Sequence, residues 1–159
     1  MTSTVLVIGA SGILAPLAAE LTGSGVRVDG IARHVTRMPD GVEPLAVDAR
    51  NTDSLAAATG GRRWASAVVY SPAISSTSLA LIRSKVDGRL VIVRPSAAAD
   101  PRLGALQVPD DTLQLGWHVQ PPGGARWHTP EEVSVAALAV LRDGIGRTLG
   151  QVRPWEDRP

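Results

Sequence analysis

A glycine-containing loop near the start of the sequence is the first group of residues that could carry chemistry. It reads Gly9-Ala10-Ser11-Gly12-Ile13-Leu14-Ala15 and follows an apolar run at residues 5–8. Glycines at this spacing permit a tight turn after a strand and let backbone N–H groups approach a phosphate. If a helix starts where the turn ends, its dipole adds attraction for an anion. The loop therefore predicts a pyrophosphate site; the alternative is a strand-to-helix turn that merely needs glycine.

Basic residues follow the next apolar run, roughly 20 residues beyond the loop. They are Arg33, His34 and Arg37. In dinucleotide-binding domains an acidic residue here binds the ribose 2′-hydroxyl of NAD, whereas cationic side chains pair with the 2′-phosphate of NADP. We therefore expect the cofactor to be NADP(H) rather than NAD(H). Asp29 is a competing candidate in mid-strand, and simple solvation of the basic residues is the alternative.

Two more segments are expected to border the cofactor, because ligands of open α/β sheets lie beyond the carboxyl ends of the strands. Asp48 and Ala49 follow the third apolar run, where a carboxylate can accept a hydrogen bond from an adenine amino group. The alternative, compatible with the first, is a helix start at this point. Ser71 and Pro72 follow the fourth run.

Short apolar runs alternate with helix-forming segments along the whole chain. Strands are predicted at residues 5–8, 26–32, 43–47, 65–70, 89–94 and 113–120, and helices at 13–22, 51–58, 75–85 and 129–141. Residues 96–112 are predicted to form a loop with a short helical turn, and residues 150–159 to pack on the surface. The alternation implies βαβ units. It predicts an α/β fold: one Rossmann-like, doubly wound parallel sheet of about six strands, in a single domain over residues 1–159.

Composition excludes several classes of function. The chain has 159 residues, 16 of them Lys or Arg and 15 Asp or Glu, with no cysteine. The near balance of charge gives no case for nucleic acid or an anionic membrane as partner. Absence of cysteine excludes disulfides and thiolate catalysis, and three scattered histidines argue against a metal site. With no apolar stretch of about 20 residues and no basic leader, we expect a cytoplasmic protein.

The loop, the basic end of the second strand and Asp48 together resemble the short-chain dehydrogenase/reductase superfamily, in its atypical branch. Shorter motifs are similar to a group of small bacterial proteins usually called short-chain dehydrogenases; they are Leu115-Gly116-Trp117-His118, the run at residues 126–132 and the run at residues 152–159. The resemblance covers most of the chain. It implies a nicotinamide cofactor and a small-molecule substrate.

One departure from the superfamily concerns its catalytic Tyr-x-x-x-Lys signature. Tyr70 is the sole tyrosine and is followed four residues later by Ile74, while the sole lysine, Lys85, has no tyrosine four positions before it. The signature is therefore absent.

Other residues could deliver the proton. Ser96 corresponds roughly to the superfamily's serine, and His118 and His128 are further candidates, because imidazole is a common general acid near neutral pH. The alternatives are a turn role for Ser96, strand packing for His118 and a helix start for His128.

The sequence thus predicts an NADP(H)-dependent reductase of a small carbonyl or imine compound, with His118, Ser96 or water supplying the proton. A non-redox nucleotide-binding sensor and a non-redox enzyme such as a cyclase or dehydratase remain open, since fold alone does not choose among them. Longer relatives have a C-terminal extension that forms the substrate domain. The substrate site here is therefore expected either to be shallow or to be completed by a second subunit in a homodimer.

Overall fold

The computed structural model describes residues 3–159. Its strands are β1 (Thr4–Ile8), β2 (Arg27–Ala32), β3 (Glu43–Ala46), β4 (Ser66–Tyr70), β5 (Leu90–Arg94), β6 (Thr112–Leu115), β7 (Trp117–Val119), β8 (Ala125–Trp127) and β9 (Arg147–Leu149). Its helices are α1 (Ala15–Gly23), α2 (Thr52–Thr59), α3 (Ser76–Arg83) and α4 (Pro130–Asp143). Short 3-10 turns join several of them, two of which lie in the segment predicted as a loop at residues 96–112.

Seven strands form one sheet in the order β3-β2-β1-β4-β5-β6-β9, and every pair of neighbours is parallel. The chain winds outward from β1 to β3, returns to β4 beside β1, and then winds outward in the other direction. The strand order therefore reverses between β1 and β4, which opens a crevice at the carboxyl ends of these strands. The prediction of a doubly wound, Rossmann-like α/β fold is confirmed.

The centre of the sheet is buried on both faces, which explains why β1, β4 and β5 are nearly continuous apolar runs. Along β1, Val5 and Val7 pack on the side of α1 and α4, while Leu6 and Ile8 pack on the side of α2 and α3. The alternation follows from the two-residue period of a strand. No helix in the described part of the chain is long and apolar enough to cross a membrane.

The predicted strand count of six is wrong, because β9 was not foreseen. It is only three residues long and contains Arg147 and Thr148, so it has no apolar periodicity. It is held in the sheet by parallel pairing with β6, a contact between segments far apart in sequence.

The single strand predicted at residues 113–120 is also wrong, since it divides at Gly116. A Cβ at Gly116 would collide with the backbone oxygens of Leu149 and Gln151, so only glycine allows this close approach. Beyond it, Trp117 exchanges backbone hydrogen bonds with Gln151, and β7 leaves the sheet to pair with β8 in an antiparallel ribbon.

Candidate functional site

Two neighbouring clefts lie at the carboxyl ends of the central strands. The first cleft, of about 280 Å³, lies beyond β1, β2, β3 and β4 and is lined by Ile8, Gly9, Ser11, Ile31, Ala32, Arg33, Val47, Asp48, Ala49, Arg50, Tyr70, Pro72 and Ala73. The second cleft, of about 240 Å³, is lined by Ile13, Tyr70, Pro95, Ser96, Leu115, Gly116, Trp127, His128, Val133 and Arg158. Tyr70 lines both clefts, so they meet at the end of β4.

The glycine loop lies at this junction. Gly9 has φ +111°, a left-handed conformation that favours glycine, and its carbonyl oxygen accepts hydrogen bonds from the N–H groups of Gly12 and Leu14, each at 3.1 Å. Within residues 3–159 the N–H groups of Ala10, Ser11 and Ile13 donate to no backbone acceptor. Because Ala10 is fully buried, the turn leaves the N–H groups of Ser11 and Ile13 as the two donors for an outside group.

Gly12 leaves this backbone accessible. It is exposed, and a Cβ added there would meet no atom within 4 Å. Ala10 and Leu14 are fully buried beneath the loop and anchor it to the core, whereas Ser11 faces the first cleft and Ile13 the second. The loop has the features that a diphosphate requires, namely free N–H groups and no side chain in front of them.

The structure separates the basic residues predicted for the cofactor. Arg33 lines the first cleft, while His34 and Arg37 are exposed and line neither cleft. Arg50, which sequence reasoning missed, joins Arg33 in the first cleft. The sequence position of Arg50 could have identified it, because it lies two residues after Asp48, just beyond the third predicted strand.

Asp48 also lines the first cleft, where Arg50 is its partner. Its Oδ1 accepts hydrogen bonds from the backbone N–H of Arg50 at 3.0 Å and from Nε at 3.3 Å. These bonds, the backbone one above all, hold the pKa of Asp48 below its usual value. The helix start proposed as an alternative is capped by Asn51, whose side chain accepts from Ser54 N–H.

The competing carboxylate, Asp29, points away from the clefts. It is buried, and its Oδ2 accepts hydrogen bonds from Trp64 Nε1 at 2.8 Å and from Arg62 at 3.3 Å. After β4, Pro72 lines the first cleft and Ser71 does not.

The second cleft combines apolar walls with four polar side chains, those of Ser96, Tyr70, His128 and Arg158. Ser96 follows β5 and is 9% exposed, and its Oγ lies 3.4 Å from Nε of Arg158. Tyr70 closes the cleft toward the glycine loop, and burial raises the pKa of its hydroxyl, which therefore stays protonated at neutral pH.

His128 is the third polar side chain of this cleft. Its side chain is only 5% exposed, and neither ring nitrogen has a hydrogen-bond partner in the described chain. Glu132 Oε2 lies 3.7 Å from Nδ1, beyond hydrogen-bond distance. Buried imidazole nitrogens without partners are rare, and here they belong to a residue that lines a cleft.

His118, predicted as a proton donor, lies outside both clefts. It is exposed on β7, and its ring centroid is 6.3 Å from that of His128. The reason is the division of the predicted strand at Gly116, which carries β7 out of the sheet. Of the predicted proton donors, the structure brings Ser96 and His128 together.

Glu132 fixes the helix that follows His128. It forms a capping box with Thr129 at the start of α4 and accepts a hydrogen bond from Arg126 Nη1 at 2.7 Å. The hydrogen bond from Arg126 and that from the Thr129 backbone hold the pKa of Glu132 well below its usual range. Because the pKa is lower in the folded protein, this carboxylate stabilises the fold above its unfolded pKa, and the contribution is lost as pH falls.

We expect Glu132→Gln, which keeps an oxygen for the capping box, to lower Tm at neutral pH by about 1–3 °C. As pH falls below about 4.3 toward the lowered pKa of Glu132, the difference in Tm between this variant and the unaltered protein should shrink. Thermal unfolding, followed by circular dichroism across this pH range, measures the difference in Tm. Glu131→Gln, one residue earlier in the same helical turn, is the control. A difference that does not change with pH would contradict the ion-pair explanation.

Solved structures share this fold at low sequence identity. A short-chain dehydrogenase from Streptomyces avermitilis aligns with a TM-score of 0.65 and 13% identity, over 94% of this chain and 89% of its own. A short-chain dehydrogenase/reductase from Veillonella parvula aligns with a TM-score of 0.60 and 17% identity, over 100% and 99%. An oxidoreductase from Lactococcus lactis aligns with a TM-score of 0.57 and 12% identity, over 91% and 88%.

No family model matches the sequence, and no curated protein matches it. At the identities of the structural matches, the likeness establishes architecture alone. The chain therefore has the fold of structures described as short-chain dehydrogenases/reductases.

Proposed function

We propose that this protein is an NADP(H)-dependent reductase of a small carbonyl or imine compound. The observation that carries the proposal is the junction of two clefts at the glycine loop, one with cationic residues and one small, apolar and furnished with a hydroxyl and an imidazole. Solved proteins of this fold are described as dehydrogenases and as an oxidoreductase, and these descriptions support a redox activity.

The first cleft fits the phosphates and adenosine of a dinucleotide. The free N–H groups of Ser11 and Ile13 would hold the diphosphate, and Arg33 would pair with a 2′-phosphate. Asp48 would accept from the adenine amino group. Arg33 makes no salt bridge within the described residues, which leaves its guanidinium available for a phosphate.

The second cleft fits the reacting end of the substrate. A bound reduced nicotinamide supplies a hydride, and the protein must supply one proton, so that the C=O or C=N group gains two electrons and two hydrogens in all. The Ser96 hydroxyl can donate a hydrogen bond to the substrate oxygen or nitrogen and so orient it. His128, when protonated, can give its proton to the same atom.

Ser96→Ala should lower kcat about 10- to 100-fold while the Kd for NADPH stays unchanged, because Ser96 lines the second cleft and not the first. Steady-state oxidation of NADPH and calorimetry measure the two quantities. Ser71→Ala is the matched control, since Ser71 follows a neighbouring strand but lines neither cleft. If the Ser96 variant and the control had equal kcat, Ser96 would have no role in the reaction.

The function itself is tested by following NADPH absorbance with a panel of small aldehydes, ketones and cyclic imines. Turnover supports a reductase. Binding without turnover of any compound would favour a non-redox nucleotide-binding protein, which the absence of a Tyr-x-x-x-Lys motif makes the second candidate.

A further inference from the structure

Arg158 reaches the second cleft from the 150–159 segment. Its guanidinium carbon lies 5.0 Å from the ring centroid of Trp155 and 5.3 Å from that of Trp127, and its Nε lies 3.4 Å from Ser96 Oγ. Trp155 is itself fixed by an edge contact with the buried Trp117, at 6.0 Å between ring centroids. The guanidinium is therefore held between two indole rings, beside the serine of the cleft.

Within residues 3–159, Arg158 forms no salt bridge, and the only hydrogen bond of its side chain is the one that Nε donates to Ser96. Two carboxylates of this region, Asp100 and Glu132, already have arginine partners. Asp100 accepts hydrogen bonds from Arg102, which lower its pKa to about 2, and Glu132 accepts from Arg126. The second cleft thus has an arginine available for an anion.

A positive group in a small apolar cleft attracts an anion of matching size. A guanidinium offers paired donors that match the two oxygens of a carboxylate. Arg158 is exposed, so its guanidinium can be reached from solvent while the two indole rings hold it in place. One arginine balances the single charge of a carboxylate rather than the double charge of a phosphate. A volume of about 240 Å³ admits on the order of ten non-hydrogen atoms.

We propose that the second cleft binds a small carboxylic acid whose carboxylate pairs with Arg158 and whose reacting carbon lies toward Ser96 and His128. The substrate class is then a 2-oxo acid or a cyclic imino acid. This inference rests on the proposed reductase function for the reaction, but the binding of the carboxylate stands on the geometry of the cleft.

The test is a calorimetric titration with pyruvate, 2-oxobutanoate and a five-membered cyclic imino acid, each paired with its neutral methyl ester. The protein is used alone and with NADP⁺, which cannot reduce these compounds. We expect at least one acid to bind more tightly than its ester, and Arg158→Gln to weaken that acid about 10-fold or more while leaving the ester unaffected. Arg158→Lys should retain part of the affinity.

Arg83→Gln is the control for charge, since Arg83 is exposed on α3 and lines neither of the two clefts. Circular dichroism checks that each variant is folded. Any of three results would overturn the proposal: acids and esters bind equally well, no acid binds, or the affinity for acids does not change when Arg158 is replaced. Arg158-dependent binding of inorganic phosphate in preference to the acids would overturn it as well.

The outcomes for the two proposals differ. If NADPH does not bind but the acids bind through Arg158, the reductase function fails and the carboxylate site stands. If NADPH binds and neutral ketones are reduced as fast as 2-oxo acids, the reductase function stands and the carboxylate site fails.

Discussion

Replacing Gly12 with valine is expected to abolish NADPH binding while the protein remains folded. The position is exposed and a Cβ there meets no neighbour, so the fold should accept the new side chain. Gly12 lies between Ser11 and Ile13 in the chain, and a diphosphate would approach the free N–H groups of these two residues. A branched side chain would keep phosphate oxygens from these donors, and we expect the Kd to rise at least about 100-fold.

Gly23→Val is the matched control. Gly23 ends α1, the helix that follows the loop, and a Cβ there also meets no atom within 4 Å. Calorimetry gives the affinity, and circular dichroism with thermal unfolding shows that both variants are folded. Retained affinity in the Gly12 variant would mean that the diphosphate, if bound at all, lies elsewhere.

Arg33→Gln should remove the preference for NADPH over NADH. Of the three basic residues predicted to contact the cofactor, Arg33 is the one that lines the first cleft. NADH lacks the 2′-phosphate and therefore cannot form a charge-assisted hydrogen bond with this guanidinium. We expect the Kd for NADPH to rise about 10- to 100-fold and that for NADH to change little. Parallel titrations with the two cofactors measure the ratio.

Arg37→Gln provides the control for this substitution. Arg37 was predicted beside Arg33 but lines neither cleft, so its removal should leave the ratio nearly unchanged. Arg50→Gln should have an intermediate effect, because Arg50 lines the first cleft but is already paired with Asp48. Equal weakening of NADPH and NADH by Arg33→Gln would exclude a 2′-phosphate contact.

The first half of the fold could be predicted because its signals are local. Four apolar residues run directly into the loop that starts at Gly9, and turn residues punctuate the strands after it. The strands β1 and β4 are apolar runs, since the centre of the sheet is covered on both faces. The loop, Arg33 and Asp48 accordingly lie at the carboxyl edge of the sheet, where the sequence predicted them.

The second half depends on contacts between segments distant in sequence. β9 is stabilised by pairing with β6, and the break at Gly116 is made by the close approach of Leu149 and Gln151. Neither leaves a periodic pattern. The roles that the structure suggests for His128 and Arg158 follow from these contacts, which is why sequence reasoning favoured His118 and left Arg158 without a function.

A calorimetric titration of the unaltered protein with NADPH and, separately, with NADH tests the dinucleotide site most directly. We expect saturable binding of one NADPH per chain and clearly weaker binding of NADH, because the free N–H groups of the loop serve both cofactors and Arg33 serves only the 2′-phosphate. No binding of either cofactor would contradict the dinucleotide site, and tighter binding of NADH would contradict the role assigned to Arg33.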